Sequence, residues 1–121
     1  MKTTFNKMTF ALVTAFALCV STASATWVHV QTFSGAYGSE VSWSLDDQTT
    51  GAQMLASGSY ASNTTYLDSV DLPDPACYDL NMFDSWGDGW NGAYVEIIDP
   101  ASGVVMYTLG TGFTTGTSYT E

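Results

Sequence analysis

Residues 26–121 contain no lysine and no arginine. The two basic residues of the chain, Lys2 and Lys7, lie at the N-terminus, whereas all 12 carboxylates follow residue 25. Within residues 26–121, salt bridges from lysine or arginine to these carboxylates are therefore excluded. Nucleic acid is disfavoured as a partner, because only His29 and the chain terminus could neutralise phosphates. A fold that crowds carboxylates together needs positive charge from elsewhere, and a bound divalent cation is the simplest source.

Cysteine and histidine are also scarce, with two cysteines and one histidine in the whole chain. A zinc site needs several such ligands close together and is not expected. A Ser-His-Asp arrangement would have to use His29, which lies on an early strand with no catalytic signature nearby. The carboxylates of Asp84 and Asp88 could serve glycoside hydrolysis, but a small sandwich leaves little room for a deep cleft. We expect no enzymatic activity, with a small glycan-active hydrolase as a remote alternative.

The first 25 residues have the order of a secretory leader. A basic segment is followed by an apolar run over 8–20 and by the small residues Ala23, Ser24 and Ala25. A run of 13 residues is too short for a membrane span, which needs about 20. We predict cleavage after Ala25, a secreted product without a membrane span, and one domain over 26–121. Cys19 would leave with the leader, so Cys77 would have no intramolecular partner and would be either a buried apolar residue or a link between two chains.

No segment of helical length shows a 3.6-residue period, and short stretches alternate apolar and polar residues between turn-rich breaks. Sliding the chain by 52 positions aligns Gly35 with Gly87 and Asp47 with Asp99, which predicts an internal duplication with halves of about 26–73 and 74–121. We expect an all-β antiparallel sandwich, jelly-roll-like, of about eight strands. The predicted strands are 27–32, 40–45, 53–57, 64–70, 78–83, 93–98, 104–109 and 118–121. The predicted core is Val28, Val30, Val41, Trp43, Leu45, Met54, Leu80, Met82, Val95, Ile97 and Met106.

The segment 83–92 concentrates the chemistry of the chain, since it holds two carboxylates, a carboxamide and three glycines between two predicted strands. Calcium takes six to eight oxygen ligands, so its loop must turn sharply and present carbonyl oxygens as well as carboxylates. We predict a calcium site from the side chains of Asp84, Asp88 and Asn91 and the carbonyls of Trp86 and Trp90. A ligand from the next strand would complete it, either Asp99, which the alternation favours slightly, or Glu96.

The alternative for the same loop needs no ion. Its aspartates would cap backbone amides and its tryptophans would pack on the sheet, which is common in glycine-rich turns. The protein would then be a purely structural repeat protein of a cell surface or matrix.

The string Asp84-Ser85-Trp86-Gly87-Asp88-Gly89-Trp90-Asn91-Gly92 resembles the Asp-x-aromatic-Gly-Asp-Gly-Trp-x-Gly signature of repeat modules. These modules occur in secreted and cell-surface proteins of bacteria and of algae and other protists, and a companion signature is matched over 35–45. The resemblance implies an extracellular β module, often tandemly repeated, with no attached enzymatic activity. Such relatives often carry a cysteine where this chain has Asp71, and the departure removes the partner that Cys77 would have in them.

Aromatic residues supply a second functional hypothesis. We expect Trp86, Trp90, Tyr37 and Tyr94 in or beside two inter-strand loops, where exposed rings next to carboxylates and amides could stack on a sugar. The alternative for Trp90 is a core residue that anchors the loop. The expected partners are an extracellular glycan or a cell-surface protein, and calcium could also bridge the carboxylates of neighbouring modules into a self-association. In a eukaryotic source, Asn63 of the Asn-Thr-Thr sequon would be a glycosylation site.

Overall fold

A computed structural model describes residues 18–20, 26–73 and 76–121. Apart from residues 18–20, the predicted leader and its cleavage site lie outside the described residues. Each of the eight predicted strands is present, with ends within two residues of the predicted ones, and a ninth strand lies inside the predicted leader. The strands are β1 (Leu18–Val20), β2 (Thr26–Phe33), β3 (Val41–Asp47), β4 (Gln53–Ala56), β5 (Thr65–Leu72), β6 (Ala76–Asp84), β7 (Tyr94–Ile98), β8 (Val105–Leu109) and β9 (Ser118–Thr120), with a 3-10 turn at Gly38–Glu40 before β3.

Two antiparallel sheets pack face to face, so the prediction of an all-β antiparallel sandwich is confirmed. One sheet has the order β5-β2-β7-β8. In the other, β6 lies between β3 and the short strands β1 and β9, and β4 flanks β3. Alternating residues of β2, β3, β6 and β7 are buried, as the period of two requires, and they contribute to one apolar core. In the described part of the chain no helix is long and apolar enough to cross a membrane.

Each sheet combines strands from both halves of the chain. The β2–β7 pairing joins β2 and β5 to β7 and β8, and the β3–β6 pairing joins β3 and β4 to β6 and β9. The two strand orders therefore correspond under the offset of one half. The β3–β4 pairing shifts register between Leu45 and Asp46, and the β7–β8 pairing shifts at the corresponding Ile97 and Ile98. Neither half therefore builds a sheet of this sandwich by itself.

The offset between the halves is not uniform along the chain. The offset from β3 to β7 is 52 residues, so Trp43 corresponds to Val95. Trp43 pairs with Met82, and Val95 pairs with Thr32. Thr32 therefore corresponds to Met82, which makes the offset from β2 to β6 50 residues. Seven residues connect β2 to β3, and nine connect β6 to β7. The acidic loop is thus longer than its counterpart by two residues.

Met106 was predicted in the core and is 42% exposed, so that prediction is wrong. The register shift at Ile97 and Ile98 explains the error, because strict alternation does not continue across a bulge. The partly buried Tyr107 lies opposite Ile97 and packs against the core instead. Met54, beyond the corresponding bulge, is also only partly buried. Alternation in strands could not predict the core residues that lie outside both the predicted and the observed strands, which are Tyr60, Trp90 and Phe113.

Strand β1 pairs with the start of β6 and places Cys19 directly opposite Cys77. Cys77 is disulfide-bonded. In the chain that retains residue 19, Cys77 therefore has a disulfide partner, whereas the absence of an intramolecular disulfide was predicted for the cleaved chain and stays a prediction. Cleavage after Ala25, which would remove Cys19, also stays a prediction.

Four connections meet at one end of the sandwich, which we call the loop end. They are 34–40, 57–64, 85–93 and 110–117. Phe33 pairs with Thr65 and Tyr94 there, and Phe83 pairs with Ser118. The β3–β4 and β7–β8 hairpin turns lie at the opposite end. Residues far apart in sequence are thereby collected at the loop end, with the acidic loop among them.

Candidate metal centre at the loop end

The loop 85–93 turns sharply because Gly87, Gly89 and Gly92 adopt positive φ values of 85°, 83° and 89°. Gly89 also lies against the neighbouring connection, where a Cβ atom would come within 2.5 Å of the carbonyl carbon of Thr114. A glycine is therefore required at 89 both for its backbone conformation and for its close approach. These turns bring the residues that follow Asp84 back over its side chain.

Asp84 ends β6 and is the buried anchor of this loop, with 2% of its surface exposed. Its Oδ2 accepts hydrogen bonds from the backbone N–H groups of Asp88 and Gly89 at 2.7 and 3.1 Å. Its Oδ1 accepts a longer bond of 3.4 Å from Trp86 N–H. A carboxylate offers about four acceptor positions, so these bonds leave capacity for a further ligand.

Glu40 joins Asp84 and Asp88 from the other half of the chain. Val41 lies opposite Asp84 in the β3–β6 pairing, and the backbone of Ser85 donates to the Glu40 carbonyl at 3.2 Å. Glu40, Asp84 and Asp88 each offer a carboxylate oxygen, and these oxygens lie within 4.8 Å of one another. Sequence reasoning missed Glu40, because the pairing of β3 with β6 cannot be derived from loop spacing. One signal was present, since Glu40 is the only carboxylate of residues 26–45.

The Glu40 side chain lies in an environment that opposes its charge. Oε2 is buried and has no hydrogen-bond partner among the described residues. Burial raises the pKa of Glu40 above its ordinary value of 4.5, and the negative charges of Asp88 and Asp84 raise it further. A divalent cation beside Oε2 would favour the ionised form of Glu40 and so oppose both effects on its pKa.

A pH titration of stability in chelator should reveal this environment. Because the pKa of Glu40 is higher in the folded state, the folded protein binds more protons than the unfolded chain above about pH 4.5. The contribution of Glu40 to stability is therefore greatest below its unfolded pKa and is lost as the pH rises through the folded value. We expect Glu40→Gln to raise the melting temperature relative to wild type by an amount that grows across this interval, measured by circular dichroism.

Asp71→Asn is the control for that titration, because Asp71 is an exposed carboxylate on β5 away from the loop end. It changes the net charge by the same amount. An equal pH-dependent gain in both variants would show that net charge, and not the surroundings of Glu40, is the cause.

The side chain of Asn91 forms hydrogen bonds within the loop. Its Nδ2 donates to Asp88 Oδ1 and to the Gly89 carbonyl, each at 3.0 Å. The carbonyl of Trp90 accepts the Ala93 N–H at 2.8 Å. Among the residues predicted as ligands, Asp84 and Asp88 are thus brought together, with Asn91 bonded to Asp88.

Glu96 and Asp99 are not brought to the loop. Glu96 points outward from the middle of β7 and accepts from Gln31 Nε2 at 3.0 Å. Asp99 lies in the hairpin turn beyond β7, at the opposite end of the sandwich, where Ser102 Oγ and Ala101 N–H donate to its carboxylate. These hydrogen bonds lower the pKa of Asp99 below its ordinary value of 3.8, and the bond from Ser102 has the largest effect. Alternation along β7 indicated the face of each side chain but not its distance from the loop.

The four aromatic residues singled out in the sequence have different environments. Trp86 is 78% exposed and Tyr37 is 53% exposed. Trp90 is 1% exposed, packs on Phe113 and donates from Nε1 to the Phe83 carbonyl at 2.9 Å. Tyr94 is partly buried against Phe33, with ring centroids 5.5 Å apart. Trp90 is therefore a core residue that anchors the loop, which leaves Trp86 and Tyr37 as the exposed rings.

The counterpart position in the other half does not carry this cluster. Ser34 donates its backbone N–H to Thr64 as Asp84 does to Thr117, both at 3.0 Å, so Ser34 corresponds to Asp84. Glu40 corresponds to Gly92 under the offset of 52 between β3 and β7. The carboxylates thus belong to one of the two related positions. Asn63, the residue of the sequon, is exposed in the neighbouring connection 57–64.

A cavity of about 250 Å³ opens at the loop end between connections 85–93 and 110–117. Asp88 belongs both to the lining of this cavity and to the carboxylate cluster. The cluster and the cavity are therefore adjacent parts of one surface. Comparisons of the chain with protein-family models, with characterised proteins and with solved structures give no match.

Proposed function

We propose that this protein is a non-catalytic calcium-binding β-sandwich module. Glu40, Asp84 and Asp88 would hold the ion at the loop end. The observation that carries the proposal is Glu40 Oε2, a buried carboxylate oxygen without a hydrogen-bond partner among the described residues, placed beside two further carboxylates. A buried acceptor left unsatisfied costs free energy, and a cation would satisfy it.

The donor set favours calcium over other metals. All three side chains offer oxygen, which suits a hard cation, whereas the soft ligands His29 and Cys77 lie outside the cluster. Two oxygens on one calcium ion, each about 2.4 Å away, can be at most about 4.8 Å apart. The three carboxylate oxygens lie within 4.8 Å of one another, so they do not exceed this maximum. Backbone carbonyls and water would supply the remaining ligands.

We further propose that the module acts outside the cell, because the predicted leader would export it to surroundings that contain millimolar calcium. There it would bind an extracellular glycan or a cell-surface protein. Trp86, which is 78% exposed on the loop that carries Asp88, supports a partner at this end of the molecule. The resemblance of residues 84–92 to extracellular repeat modules agrees with that setting. Calcium could alternatively join the acidic surfaces of neighbouring modules.

Thermal unfolding in chelator and then in millimolar calcium tests the proposal. A site with a micromolar dissociation constant should add about 4 kcal/mol at a thousandfold excess of ion, which is readily seen as a rise in melting temperature. We expect this increment in the wild type and its loss in Glu40→Gln and in Asp88→Asn. Magnesium should give a smaller increment, because it loses its own water reluctantly.

Asp99→Asn is the matched control, since it removes one carboxylate at the opposite end of the sandwich. It should keep the calcium increment whatever its own stability. An unchanged melting temperature in wild type on adding calcium would overturn the proposal and leave a structural module without metal. Size-exclusion chromatography of the same samples separates binding within a module from bridging, because bridging alone produces calcium-dependent oligomers.

A further inference from the structure

The cavity at the loop end has a polar rim and an apolar floor. Asp88, Asn91, Thr111 and Thr114 are exposed at its rim, and the buried residues Ala93, Gly110 and Phe113 lie beneath them. Its volume of about 250 Å³ is slightly below the range of about 300 Å³ and more that is typical of pockets for drug-sized ligands. An occupant of roughly one six-membered ring fits this size.

Backbone hydrogen bonds hold the walls of the cavity in place. Trp90 N–H donates to the Phe113 carbonyl at 2.8 Å and joins the two connections. Within them, Ala93 N–H donates to the Trp90 carbonyl at 2.8 Å, and Phe113 N–H donates to Gly110 at 3.1 Å. The ring of Trp90 fills the space beneath Gly110, where a Cβ atom would come within 2.7 Å of it. Such a preformed cavity needs little ordering when a ligand binds.

The rim offers hydrogen-bond acceptors. Asn91 gives its Nδ2 hydrogens to Asp88 and to Gly89, which leaves its Oδ1 as an acceptor. The Asp88 carboxylate accepts only, and the hydroxyls of Thr111 and Thr114 can accept as well as donate. No lysine or arginine occurs in residues 26–121 to hold an acidic ligand. A fitting ligand therefore donates hydrogen bonds, and no cationic side chain of the cavity favours a negative charge on it.

We propose that this cavity binds one neutral sugar unit of an extracellular glycan. Sugar hydroxyls would donate to Asp88 and Asn91, and a C–H face would rest on the apolar floor. The assignment rests on the proposed function, because calcium at the cluster would oppose the charge of Asp88 and so favour a neutral hydroxyl over an ammonium group at its carboxylate. It commits the partner to a glycan rather than to a protein.

Two-dimensional ¹H–¹⁵N NMR of the calcium-loaded protein tests the proposal. The probes are the methyl glycosides of glucose, galactose and mannose, each titrated to about 100 mM, since a single sugar unit is expected to bind with a dissociation constant on the order of 1–10 mM. At least one should shift the amides of Asn91, Gly92, Thr111 and Thr114 and approach saturation. Thr111→Val should weaken that binding about tenfold through the lost hydroxyl. Thr108→Val, on the outer face of β8, should leave it unchanged.

Glucuronate and putrescine, titrated in parallel, represent the acidic and the amine alternatives. Shifts of the cavity amides with either of them and not with neutral glycosides would overturn the sugar assignment, and so would the absence of any shift. Melting of the same sample keeps the two proposals apart. A calcium increment without sugar binding refutes the cavity proposal alone. If the increment itself is missing, the glycoside titration in chelator decides whether the cavity binds sugar without the ion.

Discussion

Gly89→Ala is expected to lower the free energy of unfolding by about 4 kcal/mol or more, enough to leave a small domain largely unfolded. A methyl group at this position would lie within 2.5 Å of the Thr114 carbonyl carbon and within 2.6 Å of the Phe113 carbonyl oxygen. Both are backbone atoms of the neighbouring connection and cannot move aside as a side chain would. The loop would separate from connection 110–117 and expose Trp90. Urea unfolding in chelator, followed by tryptophan fluorescence, measures the effect.

Gly92→Ala is the matched control in the same loop. Gly92 has a φ of 89°, close to the 83° of Gly89, but a Cβ atom there would meet nothing within 4 Å. Its cost should be limited to the backbone conformation, about 1–2 kcal/mol. Equal losses in the two variants would mean that the positive φ, and not the contact with residues 113 and 114, makes glycine necessary at 89.

Asp84→Ala should destabilise the ion-free protein by about 3 kcal/mol. Asp84 is buried, and its Oδ2 accepts the N–H groups of Asp88 and Gly89. Without it, these two donors lose their partner, at about 1–3 kcal/mol for a buried group. Relief of repulsion within the carboxylate cluster offsets part of this loss. Equilibrium urea unfolding in chelator gives the difference directly.

Asp88→Ala removes a carboxylate from the same cluster while leaving the backbone donors capped. Asp88 is exposed, and its Oδ1 accepts from the Asn91 side chain. We expect a change of less than about 1 kcal/mol in chelator. A loss as large as that of Asp84→Ala would contradict the anchoring role of Asp84 and would point to charge within the cluster as the dominant factor.

The fold could be predicted from local patterns in the sequence, because strand alternation and turn residues act over a few positions. The alternation of Val41, Trp43 and Leu45 predicted their burial, and it failed at Met106, where a bulge interrupts the period. The candidate site could be predicted from the sequence only in part. Asp84 and Asp88 share one loop and could be predicted from spacing, whereas Glu40 reaches them through the pairing of β3 with β6. Asp99 has a suitable side chain, but strand length carries it to the other end of the sheet.

The exchange of strands between the two halves allows the single chain a site that a symmetric dimer could not have. A chain of half this length could build both sheets as a two-fold homodimer, with each subunit giving two strands to each sheet. In that homodimer every position at the loop end would occur twice with the same residue. In the single chain the related positions carry different residues, since Glu40 lies beside Asp84 whereas Gly92 and Ser34 occupy the corresponding positions. An asymmetric centre built from both halves is therefore open to the single chain and closed to a symmetric dimer of identical halves.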